Sequence, residues 1–307
     1  MLFDVTGRQH WSQQRHGAGE FRRNFVQFGQ IGKGRVLLSR KLVTLVAGLV
    51  LTVLPVQQMT AAACENLRDG PAGIVASVTD GDTVVLDNGL VVRLIGMQAP
   101  KLPLGREDFE AWPLADKSKA ALEALVAGKR VRVRQGGETV DRHGRVLGQL
   151  FVEALDGPWI QQQMIAAGMA RVYSFPDNRA CVTQLLAAEG KARLMRLGIW
   201  ADPYYAVRRG DRPDDLVRRL SHYELVEGRV LLADEVQGRV YLNFGRFFAE
   251  DFTAVIERGA LPHFEADGID PTKLGGALVR VRGWVELRDG PRIEITHPEQ
   301  IEVLAVQ

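Results

Sequence analysis

Two polar turns and one strand hold the residues whose types and spacing are suited to phosphate chemistry. The turn at 80–82 carries two carboxylates, one of them Asp82, and Arg93 follows in a later apolar run. Arg145 ends a second polar turn, which begins at Asp141. A guanidinium group binds phosphate through two parallel hydrogen bonds and stabilises charge that develops in a transition state. Taken singly, however, Asp82 is more typical of a hairpin turn and Arg145 of a solvated one.

The elements that must position these residues alternate in a recognisable order between 71 and 200. Apolar, β-branched runs separated by turn residues predict three strands, then a helix that begins at Pro113, two more strands and two late helices. Five strands with a helix between the third and the fourth are the wiring of an OB-fold barrel. The predicted strands are 74–78, 84–86, 91–97, 131–133 and 146–151, and the late helices begin at Pro158 and Val182.

Five motifs occur in this region in a fixed order. They are Asp80-Gly81-Asp82-Thr83-Val84, Val92-Arg93-Leu94-Ile95-Gly96, Ala99-Pro100, Asp141-Arg142-His143-Gly144-Arg145 and Gly198-Ile199-Trp200. As an ordered set they resemble the staphylococcal nuclease (thermonuclease) family. The resemblance implies a site in which two aspartates and a backbone carbonyl bind calcium, two arginines bind phosphate and a glutamate helps deprotonate the attacking water. In that comparison Asp82 matches the first metal-binding aspartate, and Arg93 and Arg145 match the two arginines.

Two positions depart from the family pattern. Gln98 stands where the second metal-binding aspartate is expected, and Lys101 stands at the position of the glutamate. An amide oxygen still binds calcium but brings no charge, so we expect a weakened calcium site. An ammonium group does not accept a proton, and the loss of a positioned general base typically costs about 10²–10⁴ in rate. Lys101 is therefore a candidate for binding phosphate without cutting.

Further side chains leave two interpretations open. Three acidic residues follow in a loop and are either a substitute source of the base or a solvated group near a helix N-terminus. His143 either stacks on a base of the ligand or is a solvated turn residue. Tyr173 is a candidate ligand-stacking residue, although a packed core tyrosine is the more typical role. The three acids are Glu107, Asp108 and Glu110.

The front of the chain indicates export. Residues 1–41 are rich in basic residues, and either form a disordered extension or precede the true start. Residues 42–63 combine an uncharged apolar run with small residues at its end, which is typical of a secretory signal peptide cleaved near Ala63. A spanning helix needs about 20 apolar residues and is the weaker interpretation. We therefore expect a protein of the bacterial periplasm or envelope.

Cys64 and Cys181 are the two cysteines of the chain. In an oxidising compartment an even pair favours a disulfide. Residues 61–64 also resemble a bacterial lipoprotein processing site, so a lipidated Cys64 remains open, as do two free thiols.

The rest of the chain predicts a second β unit without a catalytic motif. Residues 201–220 are rich in Arg, Asp and Pro and indicate a linker. Residues 221–307 contain about five strand patterns with a short helix after the third, which predicts a second small OB-like β-barrel. Its aromatic side chains either form a stacking platform for single-stranded nucleic acid or pack in the core. They are Tyr241, Phe244, Phe247, Phe248 and Trp284.

Composition indicates a globular protein, and the distribution of charge bears on which ligands it can bind. The chain is 46% hydrophobic and 25% charged, which is typical of a globular protein. It has 39 basic and 37 acidic residues, but eight basic and two acidic residues lie before residue 42, so the part from Cys64 onward has a net charge near −4. That charge disfavours nonspecific binding of polyanions, although a local basic cleft remains compatible with it.

Three functions are compatible with these features. The first is an exported thermonuclease-like protein that binds single-stranded nucleic acid or another phosphorylated ligand, with hydrolysis weak or lost. The second is an active calcium-dependent nuclease, and the third is a non-catalytic interaction module of the envelope. Arg93, Arg145 and Asp82 favour the first two, whereas Gln98 and Lys101 favour the first over the second.

Overall fold

The computed structural model describes Cys64, residues 66–155 and residues 157–306, which belong to one compact unit. The predicted extension 1–41 and signal segment 42–63 lie outside the described residues. In the described part of the chain, no helix is both long enough and apolar enough to cross a membrane.

The first half of the described chain forms a closed five-stranded barrel with three helices. Its elements are β1 (Arg68–Asp80), β2 (Thr83–Leu86), β3 (Val91–Leu94), β4 (Gly96–Gln98), α1 (Ala115–Val126), β5 (Arg130–Gln135), β6 (Val146–Val152), α2 (Ile160–Ala166), β7 (Arg171–Tyr173) and α3 (Val182–Leu194). The barrel order is β1-β2-β3-β6-β5, with β3 and β6 parallel and the other neighbours antiparallel. The helix α1 lies between the third and fourth barrel strands, so the predicted OB wiring is confirmed.

Close packing of the 80–82 turn against α1 fixes the position of its two carboxylates. Gly81 lies directly against α1, where a Cβ atom would overlap Ser118 Oγ and come within 2.7 Å of Ala99 Cβ. Only glycine therefore fits between the two carboxylates of this turn. The ladder of β2 and β3 then pairs Thr83 with Arg93, which brings the arginine next to the turn.

The second half is a curled eight-stranded sheet around its own apolar core. Its elements are β8 (Arg208–Arg209), α4 (Pro213–Val217), β9 (Tyr223–Arg229), β10 (Leu232–Val236), β11 (Arg239–Asn243), β12 (Thr253–Ile256), α5 (Leu261–Ala266), β13 (Leu278–Leu287), β14 (Pro291–Ile295) and β15 (Ile301–Ala305). The order is β10-β11-β12-β14-β13-β9-β8, and β15 also pairs with β13. The wiring of the first barrel is repeated if β9 and β10 are counted together as one interrupted first strand. The third and fifth strands, β12 and β14, are then parallel, and the helix α5 follows the third strand, as α1 does in the barrel. The sheet thus has the OB-like character that the alternation predicts.

Residues 201–220, predicted as a linker, are folded. Tyr205 is 3% exposed and donates a hydrogen bond to Pro113 O at 2.8 Å, and Leu216 belongs to the second core. Two of the charges that suggested a linker have a folded partner, since Arg208 and Arg219 both pair with the nearly buried Glu224. Composition alone could not predict this arrangement because the pairing partner lies outside the segment.

An ion pair connects the two halves of the described chain, and a disulfide connects its first residue to the first half. Arg282 of β13 pairs with Glu189 of α3 at 2.8 Å, and both side chains are 0% exposed. Cys64 and Cys181 form a disulfide with their Cα atoms 5.0 Å apart, which ties residue 64 to the start of α3. A disulfide and a lipid on Cys64 are mutually exclusive, because both use the same sulfur.

Candidate functional site

Asp82 lies at the centre of the site and is 0% exposed. Its Oδ2 accepts a hydrogen bond from Ala99 N at 2.8 Å, and its Oδ1 lies 2.9 Å from Arg93 Nη1. The backbone N–H of Asp82 is bound in turn by Asp80 Oδ1 at 3.1 Å. A buried carboxylate must be compensated by such partners, so this side chain is fixed in position.

Lys101 places its ammonium group directly on this carboxylate. Its Nζ lies 2.8 Å from Asp82 Oδ1 and 2.7 Å from Asp82 Oδ2, and 3.5 Å from Asp80 Oδ2. One cation therefore bridges both carboxylates of the 80–82 turn. The side chain of Lys101 is 23% exposed, so the ammonium group lies between the buried turn and the open side of the site.

The protonation states of the two aspartates differ. Burial would raise the pKa of Asp82, but Arg93, Lys101 and the hydrogen bonds outweigh it and hold that pKa well below its usual range. Burial, and next the charge of Asp82, raise the pKa of Asp80, and Lys101 offsets this only in part. The turn thus holds one firmly ionised carboxylate and a second that binds a proton more readily.

The two predicted phosphate-binding arginines are held in different ways. Arg93 donates to the backbone carbonyls of Asp82, Leu94 and Met97 at 3.1, 3.0 and 3.0 Å, and its side chain is 12% exposed. Arg145 is more open, with a side chain that is 34% exposed. Asp141 Oδ2 accepts a hydrogen bond from Arg145 Nε at 2.7 Å and lies 2.7 Å from Arg145 Nη2, and so orients the guanidinium group.

Gln98, predicted as a weakened calcium ligand, already has a cationic partner. Its Oε1 accepts from Arg171 Nε at 3.0 Å and from Arg171 Nη2 at 2.6 Å. Arg171 is 4% exposed, and three aromatic rings surround it with centroids 4.8–5.7 Å from its Cζ. These rings belong to Trp112, Tyr205 and Tyr223. Burial lowers the pKa of the Arg171 guanidinium group.

These contacts test whether the residues present suit the calcium that the resemblance implies. Calcium takes six to eight oxygen ligands, with carboxylates prominent among them. Here both oxygens of Asp82 face the Lys101 ammonium group, and the amide oxygen of Gln98 faces Arg171. Within residues 64, 66–155 and 157–306, no group of three or more His, Cys, Asp or Glu side chains is arranged to hold a metal. The residues do not fit a calcium ion.

A cleft of about 810 Å³ opens beside this cluster, and Arg93, Lys101 and Arg145 all line it. Two further arginines, Arg106 and Arg142, bring its basic side chains to five. Three carboxylates also line it, and one of them is the Asp141 partner of Arg145. The cleft is therefore locally basic, in contrast to the net charge of the region from residue 64 onward. The other carboxylates are Glu138 and Asp177.

Of the remaining predicted residues, some line the cleft and others do not. His143 is exposed and lines the cleft, with its Nε2 facing Arg142 Nε at 3.2 Å. Tyr173 also lines the cleft and is half-buried, so it borders both the ligand space and the protein interior. The three acids considered as a substitute base are exposed and do not line the cleft.

Sequence reasoning did not identify the aromatic lining of the cleft as a group. Phe109, Trp112 and Phe175 line it beside Tyr173, and Trp284 reaches it from the second sheet. Of the five aromatic residues singled out in that sheet, Phe244 is buried in the core and Phe247 and Phe248 are exposed elsewhere. No spacing rule connects Trp284 to a site more than a hundred residues earlier, so only the fold reveals this contact.

Comparison with known proteins places the barrel among the staphylococcal nuclease homologues. Residues 91–202 match the family model described as staphylococcal nuclease homologue. Protein ParB of Escherichia coli is 33% identical over 141 residues, which are 43% of this chain and 73% of that protein. Micrococcal nuclease of Shigella flexneri is 33% identical over 141 residues, 43% of this chain and 74% of that protein. Endonuclease YhcR of Bacillus subtilis (strain 168) is 29% identical over 138 residues, 42% of this chain but 11% of that protein.

Proposed function

Because this chain belongs to the staphylococcal nuclease homologues, we propose that its barrel binds single-stranded nucleic acid or another phosphorylated ligand. We further propose that phosphodiester hydrolysis is weak or lost. Binding is supported by the family, by the basic cleft and by the arginines that line it. The competing function is calcium-dependent cleavage; similarity to an endonuclease and to micrococcal nuclease favours cleavage.

The position of the Lys101 ammonium group carries the proposal. An ammonium group that donates hydrogen bonds to a buried carboxylate cannot activate water as a base. It also supplies a positive charge where two carboxylates converge, which makes a divalent cation unnecessary for charge balance. The barrel thus keeps groups that attract phosphate, while an ammonium group stands at the position that the resemblance gives to the general base and faces both oxygens of Asp82.

The residues of the cleft have separate roles in this proposal. Arg145 is the most open of the three central cations, and Asp141 aims its guanidinium group for two hydrogen bonds to phosphate oxygens. Lys101 and Arg93 add positive charge at the closed side, where low exposure reduces screening by salt. No residue in this arrangement needs to transfer a proton.

Replacement of Arg145 by alanine tests binding. A charge-assisted hydrogen bond is worth about 1.5–3 kcal/mol, so Arg145→Ala should weaken binding of a labelled single-stranded DNA or RNA oligonucleotide about 10- to 150-fold. Fluorescence anisotropy at fixed salt measures the dissociation constants.

The matched control is Arg218→Ala, which also removes one arginine paired with a nearby aspartate. Arg218 is 68% exposed and does not line the cleft. If both variants lose the same affinity, or neither loses any, the cleft is not the binding site.

We also propose export to the bacterial periplasm or envelope. The apolar segment 42–63 and the Cys64–Cys181 disulfide support this, because disulfides persist mainly in oxidising compartments. Fractionation of the producing bacterium, with alkylation of free thiols before lysis, tests it. A cytoplasmic product with both thiols alkylated contradicts export, and a lipid-modified Cys64 contradicts the disulfide.

A further inference from the structure

The second sheet contributes one large side chain to the cleft of the first barrel. Trp284 lies on β13, yet its indole ring lines the cleft together with Tyr173 and Phe175. Its Nε1 donates to the hydroxyl oxygen of Tyr173 at 3.2 Å, and the two rings meet edge to face with centroids 6.4 Å apart. The ladder of β13 and β9 pairs Trp284 with Tyr223, so the backbone under the ring is fixed.

These rings form an aromatic wall, defined as Tyr173, Phe175 and Trp284. The rings of Tyr173 and Phe175 also meet edge to face, with centroids 4.7 Å apart. Phe175 is 43% exposed and Trp284 is 40% exposed, although each could gain free energy by burial. Two large apolar rings thus remain open to solvent inside a basic cleft.

A wall of exposed rings beside phosphate-binding cations matches the chemistry of a nucleotide unit. Bases stack on aromatic side chains whatever their sequence, while guanidinium and ammonium groups bind the adjoining phosphate. A paired base offers no free face within a duplex, so such a wall favours an unpaired base. A phosphorylated serine or threonine side chain, by contrast, has no flat face that could stack on an indole or phenyl ring.

We infer that Trp284 of the second sheet is a specificity-determining residue that makes the cleft select single-stranded nucleic acid through stacking of an unpaired base. The inference rests on the proposed function, because it assigns the phosphate of the same nucleotide to Arg145 and its neighbours. It also gives the second sheet a role at the site of the first barrel.

The test compares two probes that carry the same phosphates. One is a short single-stranded DNA oligonucleotide, and the other is the same oligonucleotide without its bases. The affinity of residues 64–307 of the protein is measured for each probe, and the readout is the ratio of the two affinities. Stacking contributes about five- to 150-fold per base, so the parent protein should prefer the base-containing probe by that order. Trp284→Leu should reduce the preference at least about fivefold, and Trp284→Phe, which keeps a ring, should restore most of it.

Two further variants keep the result interpretable if Trp284→Leu is poorly folded. Phe175→Leu removes a wall ring from the first barrel and should also lower the affinity ratio. Phe247→Leu is the matched control, since that ring is 71% exposed in the connection between β11 and β12 and does not line the cleft.

The outcomes separate the inference from the proposed function. A parent protein that binds both probes equally overturns the stacking inference and leaves phosphate binding intact. An unchanged affinity ratio in both folded wall variants overturns it as well. A parent protein that binds neither probe overturns the proposed function itself.

Discussion

Replacement of Arg282 by alanine should lower the free energy of unfolding by about 3–5 kcal/mol, because it leaves a buried carboxylate without its partner. Arg282 Nη2 lies 2.8 Å from Glu189 Oε2, and Nη1 lies 3.2 Å from Glu189 Oε1. Glu302 on the neighbouring strand also binds the same guanidinium group. Because Glu189 belongs to the first half and Arg282 to the second, the loss should weaken the junction that holds the cleft together.

Urea unfolding followed by tryptophan fluorescence measures this effect. Arg218→Ala is the control, since an exposed ion pair contributes about 0–1 kcal/mol. The double variant Arg282→Met with Glu189→Met should recover part of the loss, because an apolar pair in place of a buried ion pair is often neutral. The recovery is incomplete because Val172 N, which donates to Glu189 Oε1 at 2.8 Å, loses its acceptor. A cost below about 1 kcal/mol for Arg282→Ala would show that water reaches the pair and that the junction is loose.

The second prediction with a large expected effect is a gain of nuclease activity in a double variant. Gln98→Asp combined with Lys101→Glu should give calcium-dependent cleavage of single-stranded DNA, about 10²–10⁴ faster than the parent protein. The change removes the ammonium group from Asp82, adds a carboxylate for the metal and restores a proton acceptor. Aspartate at 98 is one carbon shorter than glutamine and brings a charged carboxylate that can face a cation beside Arg171.

Two controls define what the gain requires. Lys101→Met removes the ammonium group without adding a carboxylate and should stay inactive. Asp82→Asn in the double variant should abolish the gained activity, because it removes the central carboxylate. A folded double variant that shows no calcium-dependent cutting contradicts the idea that these two positions account for the loss.

Local patterns were sufficient for most of the fold. Alternating residues and turn signals predicted the barrel strands, and the ordered motifs predicted which turn and which arginines would come together. Arg93, Lys101 and Arg145 do line one cleft. The strands depend on neighbours in sequence, which is why a single sequence reveals them. The roles of Arg93, Lys101 and Arg145, by contrast, were implied by the family resemblance.

Contacts between distant segments were beyond the same reasoning. The folded state of 201–220 depends on Glu224 and on Leu216 reaching the second core. The occupation of Gln98 by Arg171 and the reach of Trp284 into the cleft depend on how β7 and β13 pack. Charge and aromatic content are visible in the sequence, but the partners of each side chain are set only by tertiary packing.

One measurement tests the central claim most directly: the parent protein from residue 64 is mixed with a labelled single-stranded oligonucleotide, once with calcium and once with a chelator. Anisotropy gives the affinity, and electrophoresis shows whether the probe stays intact. If Lys101 takes the place of the metal, the probe is bound equally well in both conditions and remains uncut. Rapid cutting that requires calcium contradicts the account, and absence of binding in both conditions points to an interaction module instead.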